Sequence, residues 1–190
     1  MVEALFGIFG VLLGSLISWV TSDRHSKIQT TLELHREFSS EDVLLSRNTA
    51  GRILVKYLDK PLVQFSASLE PEEYSHIWNI IHFYQRLWVS IKHKQVVSSM
   101  IPDLFGEVFM RWYIPYFETM LVPLSWSSSK KIKELRDWFE NNSSQDDFRE
   151  WIRLARQDRE VVMQRAGLLP KDSSLPNPQP NNPVGADWQG

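Results

Sequence analysis

The chain has 190 residues, no cysteine, and 21 Lys and Arg against 23 Asp and Glu, for a formal net charge of −2. That balance supplies no basic field for nucleic acid, which is therefore not an expected partner. The absence of cysteine excludes disulfides, thiolate metal sites, a cysteine nucleophile and a lipoprotein anchor.

Residues 4–20 read ALFGIFGVLLGSLISWV and carry no charged side chain. At about 1.5 Å per residue a helix over 4–22 rises about 28 Å, close to the roughly 30 Å hydrocarbon core of a bilayer. The expectation is a transmembrane helix over 1–22 that acts as a signal-anchor, with the lipid bilayer as its first partner. Val20-Thr21-Ser22 offers a weak cleavage site, so a secreted helical protein is an alternative. Secretory signals, however, need a positive n-region, and only Glu3 precedes the apolar run. Arg24, Lys27 and Arg36 follow the helix and no Lys or Arg precedes it. The positive-inside rule then places the N-terminus out and the C-terminal domain in the cytoplasm, at the cytoplasmic (inner) membrane. Trp19 would sit near the interface. At about 100° per residue, Gly7, Gly10, Gly14 and Ser18 share one face within ~80°. Small residues let helix backbones approach closely in lipid, so this face is the candidate for association into a homo-oligomer.

No Gly or Pro occurs between Gly14 and Gly51, so the helix is expected to run on as a juxtamembrane extension over 23–38. Ser39 with Asp42 resembles a capping box that opens the bundle domain, 39–167. The helix it starts has Val43, Leu44, Ile53, Leu54, Tyr57 and Leu58 as apolar positions, and Pro61 closes it. Pro71, Glu72 and Glu73 open the next, with proline in the first turn and acids at the N-terminus. Tyr74, Ile77, Trp78, Ile81, Tyr84, Trp88 and Ile91 recur at three- and four-residue steps, widened by Ile80, Phe83 and Leu87. That pattern predicts the central helix of a bundle.

Residues 96–121 are apolar but punctuated by Pro102, Gly106 and Pro115, which predicts a short helix and then a kinked one through Phe105, Phe109, Trp112, Tyr116 and Met120. Pro123 and the run Trp126-Ser127-Ser128-Ser129 predict a loop. A charged helix over 130–140 turns Ile132, Leu135 and Phe139 inward. Ser144-Gln145-Asp146-Asp147 offers another capping box. The final helix buries Phe148, Trp151, Ile152, Ala155 and Val162, and Gly167 caps it. The stretch 168–190, rich in Pro, Asn and Ser, is expected to be a disordered tail. The fold class is all-α, a bundle of about five to six helices behind one membrane helix.

Catalytic signatures are missing: there is no GxGxxG, GxxxxGK[ST], HExxH, GxSxG or EF-hand loop. Glu73 and His76 have the Glu-x-x-His spacing of di-iron bundles, but such sites need two pairs and further glutamates. His35 and Glu37 do not share a helix face. Arg149, Arg153 and Arg156 form a stripe balanced by Asp146, Glu150 and Glu160, as a solvated face would. No cofactor, metal or catalytic residue is expected. One stripe stands out: Ser75, Asn79, His82, Arg86 and Ser90 fall within ~80° on the central helix. Faces meant for water usually carry Lys and Glu, so this is the candidate interaction surface, with Asp103, Glu107 and Glu118 as candidate carboxylates for Arg86.

Three stretches carry a resemblance. They are Thr30-Thr31-Leu32-Glu33-Leu34-His35-Arg36-Glu37-Phe38, then Ser46-Arg47-Asn48-Thr49-Ala50, then Ile77-Trp78-Asn79-Ile80-Ile81-His82-Phe83-Tyr84-Gln85-Arg86-Leu87. The last continues into Ile101-Pro102-Asp103-Leu104-Phe105-Gly106-Glu107-Val108-Phe109 and Trp112. Over residues 5–120 the chain resembles a family of short bacterial membrane-anchored all-α proteins catalogued as a domain of unknown function. That family tends to carry Glu where Gln85 stands here. The resemblance implies a helical membrane-bound module and no activity. The expected function is a non-enzymatic scaffold or interaction module, sensor or effector in kind, with a protein partner of unknown identity. A metal-dependent or motif-less hydrolase tethered to the membrane is the alternative from another class.

Overall fold

The computed structural model describes residues 2–58 and 60–169; for residues 2–17, 19 and 20 it describes the backbone helix alone. The described residues are all helical or connecting turns, as an all-α chain requires. Helix α1 spans Val2–Phe38 and α2 Glu41–Lys56; a short α3, Leu62–Phe65, continues into a 3-10 turn, Ser66–Ser68. Helix α4 spans Pro71–Lys92 and α5 Ile101–Trp112, and α5 passes without a break into a π-helical segment, Tyr113–Leu121. Helices α6, Ser127–Asn142, and α7, Gln145–Arg165, complete the bundle.

Among the described residues no helix is long and apolar enough to cross a membrane. The expected membrane span and its face Gly7, Gly10 and Gly14, with Trp19, fall on side chains outside the described residues; Ser18 is described and exposed. The tail expected to be disordered lies outside the described residues from 170 onward. What is described of α1 is two unlike parts. Residues 21–26 are exposed, whereas Thr31, Leu34 and Phe38, on one face by their spacing, are buried in the bundle. Thr31 Oγ1 donates to Lys27 O at 2.8 Å and accepts from Val97 N at 2.9 Å, fixing the α4–α5 connection to the root of α1.

Capping explains most boundaries. Ser40, not Ser39, caps α2: its Oγ accepts from Val43 N at 3.4 Å. Ser39 N is already used by His35 O, at the end of α1. Helix α4 starts on Pro71 with a capping box between Glu70 and Glu73. Ser144 caps α7 through Asp147 N at 3.1 Å. Gly167 ends α7 with φ +73, while Leu168 N reaches Met163 O and Gly167 N reaches Gln164 O, the Schellman pattern. The serine run expected as a loop is instead the first turn of α6. Ser129 is buried there, and its Oγ donates to Leu121 O at 2.8 Å, pinning the turn to the π segment.

Helix α4 is the core helix, with α2 packed on one flank and α6 on the other; α7 covers α5 and the π segment. An aromatic cluster fills the space between them. Tyr84 meets Phe109 edge-on at 5.1 Å, Phe38 meets Phe83 at 4.8 Å, and Phe109 stacks on Phe139 at 5.2 Å. Two apolar positions read as inward are outside it: Leu44 is 36% and Tyr74 40% exposed. Helix α2 turns Ser46, Arg47, Ala50, Ile53 and Leu54 to the core, a face set one residue away from Leu44.

The kink expected at Pro115 takes the form of the π segment. Proline lacks the N–H that an α ladder needs at that point, and the chain re-pairs in wider turns, with Val122 N on Phe117 O at 2.7 Å. Gly106 sets the approach of α5 to α7. A Cβ there would overlap the six-membered ring of Trp151.

Candidate functional site

The polar stripe of α4 opens onto a groove of about 560 Å³ between the root of α1, α2 and α4, reached also by Lys131 of α6. Asn79, His82 and Arg86 line it together with Glu37, Asp42 and Ser46. The remaining stripe residues are not part of it: Ser75 is exposed beyond its rim, and Ser90 is buried.

Helical spacing brings Asn79, His82 and Arg86 to one face, and α2 and α1 supply their partners. Ser46 Oγ lies 3.1 Å from His76 Nδ1 and accepts from Asn79 Nδ2 at 3.4 Å. Arg86 pairs with Glu37 on the last turn of α1, with its guanidinium 5.8 Å from the Phe83 ring centre. His82 lies against Trp78, ring centres 5.2 Å apart. Charges on the lining balance, Glu37 and Asp42 against Arg86 and Lys131. Such a surface offers donors, acceptors and one imidazole to a polar partner while carrying no net field of its own.

The carboxylates expected for Arg86 are elsewhere. Glu107 pairs with Arg111 at 2.8 Å, Glu118 with Arg159 at 3.2 Å, and Asp103 is exposed. The actual partner, Glu37, comes from α1 because its last turn docks beside α4. Arg86 and Glu37 remain 53% and 41% exposed, so the pair is solvated. The Glu73–His76 spacing is likewise dissolved into structure: Glu73 caps α4 and His76 engages Ser46. Among the described residues no three metal-ligating side chains gather. His35 packs edge-on to Phe105 at 6.0 Å, apart from any acid–base arrangement with Glu37. On α7, Arg153 pairs with Glu150 at 2.6 Å and Arg149 faces Asp146 at 4.0 Å, a solvated face.

Arg47 is a buried group that was not among the expected site residues. A signal was present: Arg47 stands four residues after Val43, three before Ala50 and seven before Leu54, on the apolar face of α2. No protein family, curated protein or solved structure matches this chain.

Proposed function

We propose that this chain is a non-enzymatic interaction module tethered to the inner membrane, N-terminus out, whose groove at the foot of the tether receives a polar protein partner. The carrying observation is α1, which runs unbroken from the apolar stretch 4–20 to the buried Thr31, Leu34 and Phe38. A continuous helix transmits position and orientation where a flexible linker would not, so the groove would stand at a fixed height and azimuth above the bilayer. Arg24, Lys27 and Arg36 on the bundle side support the orientation. The glycine face Gly7, Gly10, Gly14 and Ser18 would bring two tethers together.

A reporter fused after Gly190 tests the reading. Cytoplasmic reporter behaviour with the chain in the membrane fraction is the expected result. Periplasmic phosphatase activity, or a wholly soluble chain, overturns it. Gly14→Ile should weaken self-association in a membrane two-hybrid assay without affecting insertion.

A further inference from the structure

A second cavity, about 500 Å³, lies between α2, α5, the π segment and α7, away from the groove. Among the described residues its charged lining is lopsided: Arg47, Arg52, Arg111 and Arg165 against the acid Asp158. Its apolar walls include Val55, Val108, Trp112, Pro115 and Val162. The volume falls within the several-hundred-Å³ range of small-molecule sites, which are apolar with a few convergent polar groups.

The decisive residue is Arg47. It is only 8% exposed, yet no described acid pairs with it, and its Nε is buried without an acceptor. One face is covered by Phe38, whose ring centre lies 4.3 Å from Cζ. That stacking leaves the in-plane N–H groups unused, and a guanidinium has five of them. Burial pushes its pKa down, and the nearby Tyr84 phenol does not offset this. Arginine nevertheless keeps its proton in proteins. A buried, permanently charged fork with no counter-ion is unfavourable in an isolated fold, and it becomes favourable once an oxyanion completes it. Arg111 is already oriented by Glu107 at 2.8 Å and Asp158 at 3.1 Å, at the α5–α7 side of the same cavity. The π segment contributes Pro115 and Tyr116 to the wall, a position where such irregular helix often marks a binding site.

We infer that this cavity binds a small organic anion, with an oxyanion head of phosphate or carboxylate type on Arg47 and a compact apolar body against Trp112 and its neighbours. The inference is independent of the membrane tether and of the groove. Naphthyl phosphate is a suitable probe, with inorganic phosphate as the head alone and naphthol as the body alone. With the full chain in a neutral detergent, calorimetry should show naphthyl phosphate binding more tightly than either fragment. Arg47→Met should weaken that binding about tenfold or more, as expected for a lost hydrogen bond to a charged group, while the ligand-free protein melts no lower than wild type. Exposed Arg52→Gln should weaken it severalfold with an unchanged melt, and it decides the matter alone if Arg47→Met fails to fold. Lipid and soluble sources of this chemistry separate in a third arm. Mixed micelles of the same detergent carrying phosphatidic acid displace the probe if a lipid head group is the natural occupant, and leave it bound if the occupant is soluble. No binding to folded wild type, equal binding of naphthol, or affinity unchanged in both variants overturns the inference.

Discussion

Ser46 and Arg47 are neighbours on α2 and feed two different cavities, Ser46 the groove beside α4 and Arg47 the arginine-lined cavity beside α5 and α7. The groove is rich in polar groups, and its central ones are partnered, Ser46 with His76 and Asn79 and Arg86 with Glu37, while the neutral Gln85 amide on its lining is buried with Nε2 unpaired. The other cavity has more apolar wall, yet it holds a buried cation that no carboxylate among the described residues pairs. Polar composition and unmet electrostatic demand are therefore separate properties. The first fits a surface that exchanges water for a partner with little change in energy. The second is a standing preference for one sign of charge.

The harshest way to break the comparison is to move the wall between α5 and α7. Gly106→Val should destabilise the fold by about 3 kcal/mol through overpacking against Trp151. Gly51→Ala is its control, because a Cβ there meets nothing nearer than Tyr116 Oη at 3.9 Å. That change should stabilise α2 by about 0.5–1 kcal/mol. Denaturant melts of both variants check the pair.

Arg47→Met sharpens the contrast directly. Removing an uncompensated buried charge should raise stability by about 1 kcal/mol, after the lost stacking on Phe38 is subtracted. The reverse result, a loss of several kcal/mol in ligand-free protein, would mean that Arg47 is satisfied within the fold.

Tyr84 tests the same region by pH. It is fully buried, its hydroxyl has no partner, and burial pushes its pKa well up, with nearby Arg47 acting against the shift. For a phenol raised in the folded state, the unfolded chain ionises first. Its stabilising contribution is thus present below the ordinary tyrosine pKa near 10 and is lost as pH rises beyond it. Tyr84→Phe should flatten that alkaline loss and shift neutral-pH stability upward by up to about 1 kcal/mol. Thermal melts from pH 7 to about 11 decide it.

The smallest effect belongs to the groove. Arg86→Ala should lower stability by well under ~1 kcal/mol and lose even that difference in high salt, since both partners are about half exposed. His82→Ala should melt like wild type. A change of assembly size on native mass measurement, without a change in melting, would mark the groove as an intermolecular surface.

Local signals in the chain were sufficient for the long helices, though not for the short α3 or the first turn of α6. The three- and four-residue steps from Ile77 to Ile91 determined α4, Pro71 its start, Ser144 and Gly167 the two ends of α7, and the absence of Gly and Pro after Gly14 the length of α1. These follow from hydrogen bonds and spacings within a few residues, which any isolated segment carries. The cap on Ser40, one residue past Ser39, shows the tolerance of that reading. Pairing was different. That Arg86 takes Glu37 and not Glu107 or Glu118, that Ser129 belongs to α6, and that Arg47 is buried with no described acid beside it depend on which helix lies beside which. Helical periodicity fixes the face on which a side chain stands; only the packing of distant segments fixes what that face meets, and so whether a charge there is neutralised, solvated or left wanting an anion.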